Sequence, residues 1–194
     1  MNKSYWGDLV TLSLTDPAEA ARRLMALGLR RDVLWLALAL TAVLNTVIYT
    51  LSAMVSGSAA FNALGSPFLY LGIMAASLLA TLFSFYLAGR VLGGQGRFED
   101  LLVAVTWLQV LRMAVQVIVL VLGILSPALG VAAVFAAMFI GLYITVHFLN
   151  QVFHFNSLGR AAGAMLLSIV VMTVLMILLL ALIGGILPGD SLNV

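Results

Sequence analysis

Arg112 is the residue whose chemistry most needs an explanation. It stands inside the apolar run Leu101–Leu125 and is the single Lys, Arg, Asp or Glu in any long apolar run of the chain. Gln109, Arg112 and Gln116 are spaced i, i+3, i+7, so a helix places them on one polar stripe. A guanidinium stays charged and offers a planar fork of N–H donors. Its natural partners are carbonyl oxygens, carboxylates and phosphates. Three roles fit this stripe: an internal hydrogen-bond hub, a site for an anionic substrate or lipid headgroup, and a contact with a partner protein. A proton relay does not fit, because no apolar run contains a carboxylate.

Other chemistry is thinly supplied. His147 and His154 flank Asn150 and Gln151, and two imidazoles without a third ligand make a weak metal site. A polar cap at the end of a helix explains them better. The chain has no cysteine, which removes disulfides, thiolate metal sites and a cysteine nucleophile. Its serines lack a Lys or His at a catalytic spacing, and no aspartate pair lies in an apolar run. Gly93-Gly94-Gln95-Gly96 lacks the Gly-Lys-Ser/Thr of a phosphate loop and reads as a flexible turn. No enzyme activity and no cofactor are expected.

The elements that must position Arg112 follow from composition. Of 194 residues, 64% are hydrophobic and 8% charged, against about 25% charged in a typical soluble domain. Mean hydropathy is +1.20. Soluble enzymes and disordered chains are excluded, and a net charge of +2 gives no footprint for nucleic acid. Crossing a bilayer takes about 20 apolar residues in a helix. Five runs qualify: Val33–Val55, Pro67–Gly89, Leu101–Leu125, Pro127–Leu149 and Ala161–Leu187. They are continuously apolar, without the alternation of a transmembrane barrel. The expected fold is an all-α integral membrane protein, with a five-span domain over 33–187. Arg112 lies 12 residues after Asp100, about 18 Å along a helix and near mid-membrane. A central arginine costs about 2.5–3.5 kcal/mol to insert, which the many apolar residues of its span offset. Its stripe should therefore face protein or water. Neutral groups available in other spans are Asn45, Tyr49, Ser84, Tyr86, Tyr143 and Thr145.

Basic residues set the orientation. Lys3, Arg22, Arg23, Arg30 and Arg31 precede the first span, Arg90 and Arg97 separate the second and third, and Arg160 separates the fourth and fifth. Ser56–Ser66 and the Ser126-Pro127 turn carry no charge, and the tail 188–194 has only Asp190. The N-terminus is expected in the cytoplasm and the short tail outside. Residues 1–32 form a cytoplasmic arm. Within it, Asp16-Pro17-Ala18-Glu19 is a helix start with a capping box, opening an amphipathic helix that runs to Gly28. Arg22 and Arg23 on that helix anchor the first span, or dock the arm on an anionic membrane surface or a partner.

Small residues recur every fourth position at Gly72, Ala76, Ala80, Ser84 and Ala88, and again at Ala133, Ala137 and Gly141. In lipid such stripes let helix backbones approach, within the bundle or between chains.

These features together are similar to the bacterial branch of the Yip domain family, the Ypt-interacting-protein type membrane proteins. The resemblance rests on Asp-Pro-Ala-Glu-Ala-Ala-Arg-Arg at Asp16–Arg23, Ala88-Gly89-Arg90, Gly94-Gln95-Gly96-Arg97-Phe98-Glu99-Asp100, and Trp107-Leu108-Gln109 followed by Arg112. It spans nearly the whole chain and is most specific over Gly94–Arg112. It implies five spans, a cytoplasmic N-terminus and a short C-terminus opposite. Eukaryotic members resemble adaptors for small prenylated GTPases, but the arm here is short for such a role. Arginine outnumbers lysine eight to one, as in GC-rich bacterial genomes, so the expected location is a bacterial cytoplasmic membrane. The expected function is a non-enzymatic interaction protein, such as an accessory or adaptor subunit. It would bind membrane lipids and other integral membrane proteins, or itself as an oligomer. The competing expectation is a transporter or channel for a small anion or lipid, built on Arg112, Gln109 and Gln116.

Overall fold

A computed structural model describes residues 3–56 and 66–186. The described residues form seven helices, with no strand among them. These are α1 (Lys3–Thr15), α2 (Pro17–Met25), α3 (Arg31–Ser56), α4 (Pro67–Val91), α5 (Phe98–Leu125), α6 (Pro127–Phe153) and α7 (Leu158–Ile186). The last five are each long and apolar enough to cross a membrane, so the protein is an integral membrane protein. Each of the first four apolar runs lies within one helix, and the fifth does so up to Ile186. Most of the Ser56–Ser66 loop and the tail 188–194 lie outside the described residues.

Local chemistry sets the helix ends. Asp16 caps α2, its carboxylate accepting from the Glu19 amide at 3.0 Å. The reciprocal half of a capping box is not made: Glu19 turns instead to Arg22 and Arg23, at 2.8 and 2.9 Å. The α2 helix stops at Met25, short of Gly28, whose φ of 54° turns the chain toward α3. A helix also covers Lys3–Thr15, where the alternation of Val10–Leu14 gives no helical signal. Ser66 caps α4 by accepting from the Phe68 amide, with Pro67 in its first turn. Ser126 alone joins α5 to α6. Glycine permits the hairpin to close: a Cβ on Gly130 would stand 2.9 Å from the Gly123 Cα.

The five long helices pack in the cyclic order α3, α5, α6, α7, α4 and back to α3. Chain direction alternates from helix to helix, so Arg30, Arg31, Arg90, Arg97 and Arg160 share one end, called the basic end below. The tightest packing is also there. Leu101, Leu102, Phe148, Leu149, Val152 and Phe153 are almost wholly buried. The amphipathic α2 seals them, laying Ala20, Ala21 and Leu24 on α5 and α6 while Arg22 and Arg23 face outward. A buried hydrogen bond from the Trp107 indole Nε1 to the Ser13 hydroxyl, 2.9 Å, fixes α1, and Trp6 stacks on Trp107.

The glycine-rich segment after α4 is not the flexible turn that its composition suggests. Its amides are used: Gly94 N–H donates to Gly89 O at 2.8 Å, and Gln95 N–H donates to Phe153 O at 3.1 Å. The Phe153 ring fills the space where side chains at Gly89, Gly94 and Gly96 would stand. The glycines are a cradle for one aromatic ring, which joins the end of α6 to the end of α4. Gly93 makes the turn itself, with φ 81°.

Candidate functional site

The Gln109–Arg112–Gln116 stripe lies on α5, and its members differ in setting. Gln109 is buried and its Oε1 has no hydrogen-bond partner. Gln116 is half-buried, and its Oε1 is also unpartnered. Arg112 between them is exposed on the surface of the single chain. Among the described residues it makes no ion pair and no hydrogen bond. Tyr70 of α4 stacks on Tyr49 of α3, ring centroids 4.0 Å apart. Buried polar groups are normally satisfied, so two orphaned amide oxygens beside an unpaired cation form an incomplete network.

The other neutral groups face elsewhere. Asn45 is buried but donates to Thr41 O of its own helix, 3.0 Å. Thr145 donates to Gly141 O, and Tyr86 sits by Phe98 and Arg90 at the basic end. His147 is held by Tyr143 O at 2.9 Å. His154 is the left-handed C-cap of α6, with φ 54°. Its capping role explains the polar residue there.

The small-residue stripes divide by depth. On α4, Ala88 and Ser84 are buried, Ala80 is half-buried, and Ala76 and Gly72 are exposed. On α6, Ala133, Ala137 and Gly141 are half-buried. Ser84 adds something its spacing does not announce. Its hydroxyl is buried without a partner, beside a cavity of about 230 Å³ between α4 and α7. Thr81, Ser168 and Thr173 also line that cavity, but their hydroxyls donate to carbonyls of their own helices. The seven terminal arginines Arg22, Arg23, Arg30, Arg31, Arg90, Arg97 and Arg160 are all exposed.

Searches of curated proteins and of solved structures return no match. The family model described as the Yip1 domain matches residues 11–182, from the middle of α1 nearly to the end of α7. The match takes in residues 11–32 of the arm, the glycine cradle and the Arg112 stripe, and the protein belongs to the Yip1 domain family.

Proposed function

We propose that this Yip1 domain protein is a non-enzymatic interaction protein of a membrane, an accessory or adaptor subunit whose Arg112 stripe is completed by another chain. The observation that carries this reading is the exposed, unpaired Arg112 in a membrane-crossing helix, between two amide oxygens without partners. An arginine at that depth facing lipid alone is costly. A carbonyl or carboxylate from a neighbouring membrane protein relieves that cost through charge-assisted hydrogen bonds. The exposed outer part of the α4 stripe, Gly72 and Ala76, gives such a neighbour a surface for close backbone approach. The seven exposed arginines at one end favour an N-terminus in the cytoplasm, and the arginine-rich composition favours a bacterial cytoplasmic membrane.

Site-specific photocrosslinking tests the reading. A benzophenone side chain at Gln116 should give one discrete protein adduct in native membranes, and the same group at lipid-facing Ile140 should not. Lipid adducts alone at both positions would contradict it. Transport of a small anion or lipid remains the rival. Neither the α4–α7 cavity nor an apolar groove of about 370 Å³ lined by Trp6, Leu24, Leu34 and Trp107 is lined by Arg112, Gln109 or Gln116. Flux through reconstituted wild type that is lost in Arg112→Ala would favour transport.

A further inference from the structure

Four hydroxyl side chains line the cavity of about 230 Å³ between α4 and α7: Thr81, Ser84, Ser168 and Thr173. A serine or threonine inside a helix commonly bonds a carbonyl one turn back on its own helix. Three of the four do so. Thr81 donates to Ser77 O at 2.7 Å, Ser168 to Met165 O at 2.6 Å and Thr173 to Ile169 O at 2.9 Å. Ser84 does not: the residue is 1% exposed, and its hydroxyl is buried without a partner. An unmade buried hydrogen bond carries the full desolvation cost of the group, and native structures rarely leave one.

The lining defines the chemistry of an occupant. No charged side chain lines the cavity, so an ion there would lack a counter-charge at membrane depth. Thr81, Ser168 and Thr173 have committed their protons and offer oxygen lone pairs, which call for a donor. Ser84 is free both to donate and to accept. A hydroxyl group matches this set. An ester carbonyl only accepts, and a hydrocarbon chain leaves Ser84 unpaired. Phe85, Ile169 and Met172 complete the wall with apolar surface.

Place and size narrow the source. Ser84 lies 7 residues before the end of α4 at Val91, and Thr173 lies 15 residues after the start of α7 at Leu158. At a rise of about 1.5 Å per residue, the cavity lies about 10–22 Å from the basic end, toward the middle of the bilayer. Ile169 and Thr173 are exposed, so the cavity opens toward lipid. Its volume is below that of usual small-molecule sites, about 300–1,000 Å³, and far above the roughly 10–15 Å³ that one water needs.

We infer that the α4–α7 cavity is a binding site for a neutral hydroxyl group within the membrane, which completes the hydrogen bonding of Ser84. Water and the head of a membrane-dissolved alcohol share this chemistry. The site uses no residue of the Arg112 stripe and does not depend on its role.

Two measurements on the full-length protein in phosphatidylcholine vesicles test the site and separate the sources. The first is photolabelling by octanol carrying a diazirine near its hydroxyl, compared with the same diazirine on octane. For an alcohol head, the octanol should label Phe85 and Met172 severalfold more than the hydrocarbon does. Ser84→Ala should cut that excess about fivefold, the worth of one net hydrogen bond, while Ser77→Ala outside the cavity should not. Thr173→Val, at an exposed position, should lower it in the same direction and carries the test if Ser84→Ala fails to fold. The second is water-edited solid-state NMR. Transfer from water to the Ser84 and Ser168 side chains, without an octanol excess, assigns the site to water. Equal labelling by both compounds together with no transfer from water would overturn the site. So would an octanol excess that folded Ser84→Ala leaves unchanged.

Discussion

The Trp107 indole donates to the Ser13 hydroxyl across 2.9 Å, joining residues 94 positions apart inside the protein. The Ser13 hydroxyl itself donates to Leu9 O at 2.8 Å. The N-terminal arm is therefore part of the bundle and not a tether in front of it. Ser13→Ala leaves the buried indole N–H unsatisfied, which costs about 1–3 kcal/mol. Unfolding in mixed micelles should show that loss, and trypsin should cut faster after Arg22 and Arg23. An unchanged cleavage rate would mean the arm is held by packing alone.

The glycine cradle predicts a sharp steric response. Alanine at Gly89 places its Cβ on the Phe153 ring, and that ring is fully buried. Helix propensity alone favours alanine over glycine by up to about 1 kcal/mol, but overpacking costs about 1–3 kcal/mol and should dominate. Thermal unfolding should register destabilisation in Gly89→Ala and partial recovery when Phe153→Leu is added. A stabilised Gly89→Ala would contradict the close packing.

Glu19 gives the arm a pH dependence of known sign. Hydrogen bonds from Arg23 first, and from Arg22 next, hold its carboxyl below the ordinary glutamate range. A depressed folded-state value means its stabilisation is present above the ordinary range and is lost as pH falls through the lower folded value. The pair is exposed, so the effect is small. A carbon-detected NMR titration should place the Glu19 midpoint below that of a model glutamate, and Arg23→Ala should move it upward.

Orientation is testable because the chain has no native cysteine. With the basic end in the cytoplasm, a cysteine at exposed Gln95 should resist a membrane-impermeant maleimide in intact cells. One at exposed Ala128, by the opposite turn, should react. The reverse pattern would invert the protein.

Much of the fold was legible in the residues because the bilayer permits few solutions. Long apolar runs bounded by Pro, Ser and Arg define the crossing helices, and Asp16-Pro17 marks the start of α2 in a few side chains. What stayed hidden depended on distant packing. The α1 helix carries no amphipathic pattern of its own and is fixed by Trp107 and Ser13. Gly94 and Gly96 look like turn residues until Phe153, far along the chain, is placed on them. The Arg112 stripe was legible as a line on one helix. That Gln109 is buried while Arg112 is exposed depends on the cyclic order of the helices, which no local spacing encodes. The Ser84 hydroxyl likewise reads as a small spacer, and only the α4–α7 cavity shows it unpartnered.

The most direct test of the proposed role is the composition of the particle in which Arg112 resides. Wild type and Arg112→Ala, extracted with native lipid in polymer nanodiscs, would be weighed by mass spectrometry and imaged as single particles. A partner chain at fixed ratio in wild type, lost in Arg112→Ala while the five-span fold is retained, is the predicted result. A wild-type particle of this chain and lipid alone, unchanged by the substitution, would contradict the role assigned to Arg112.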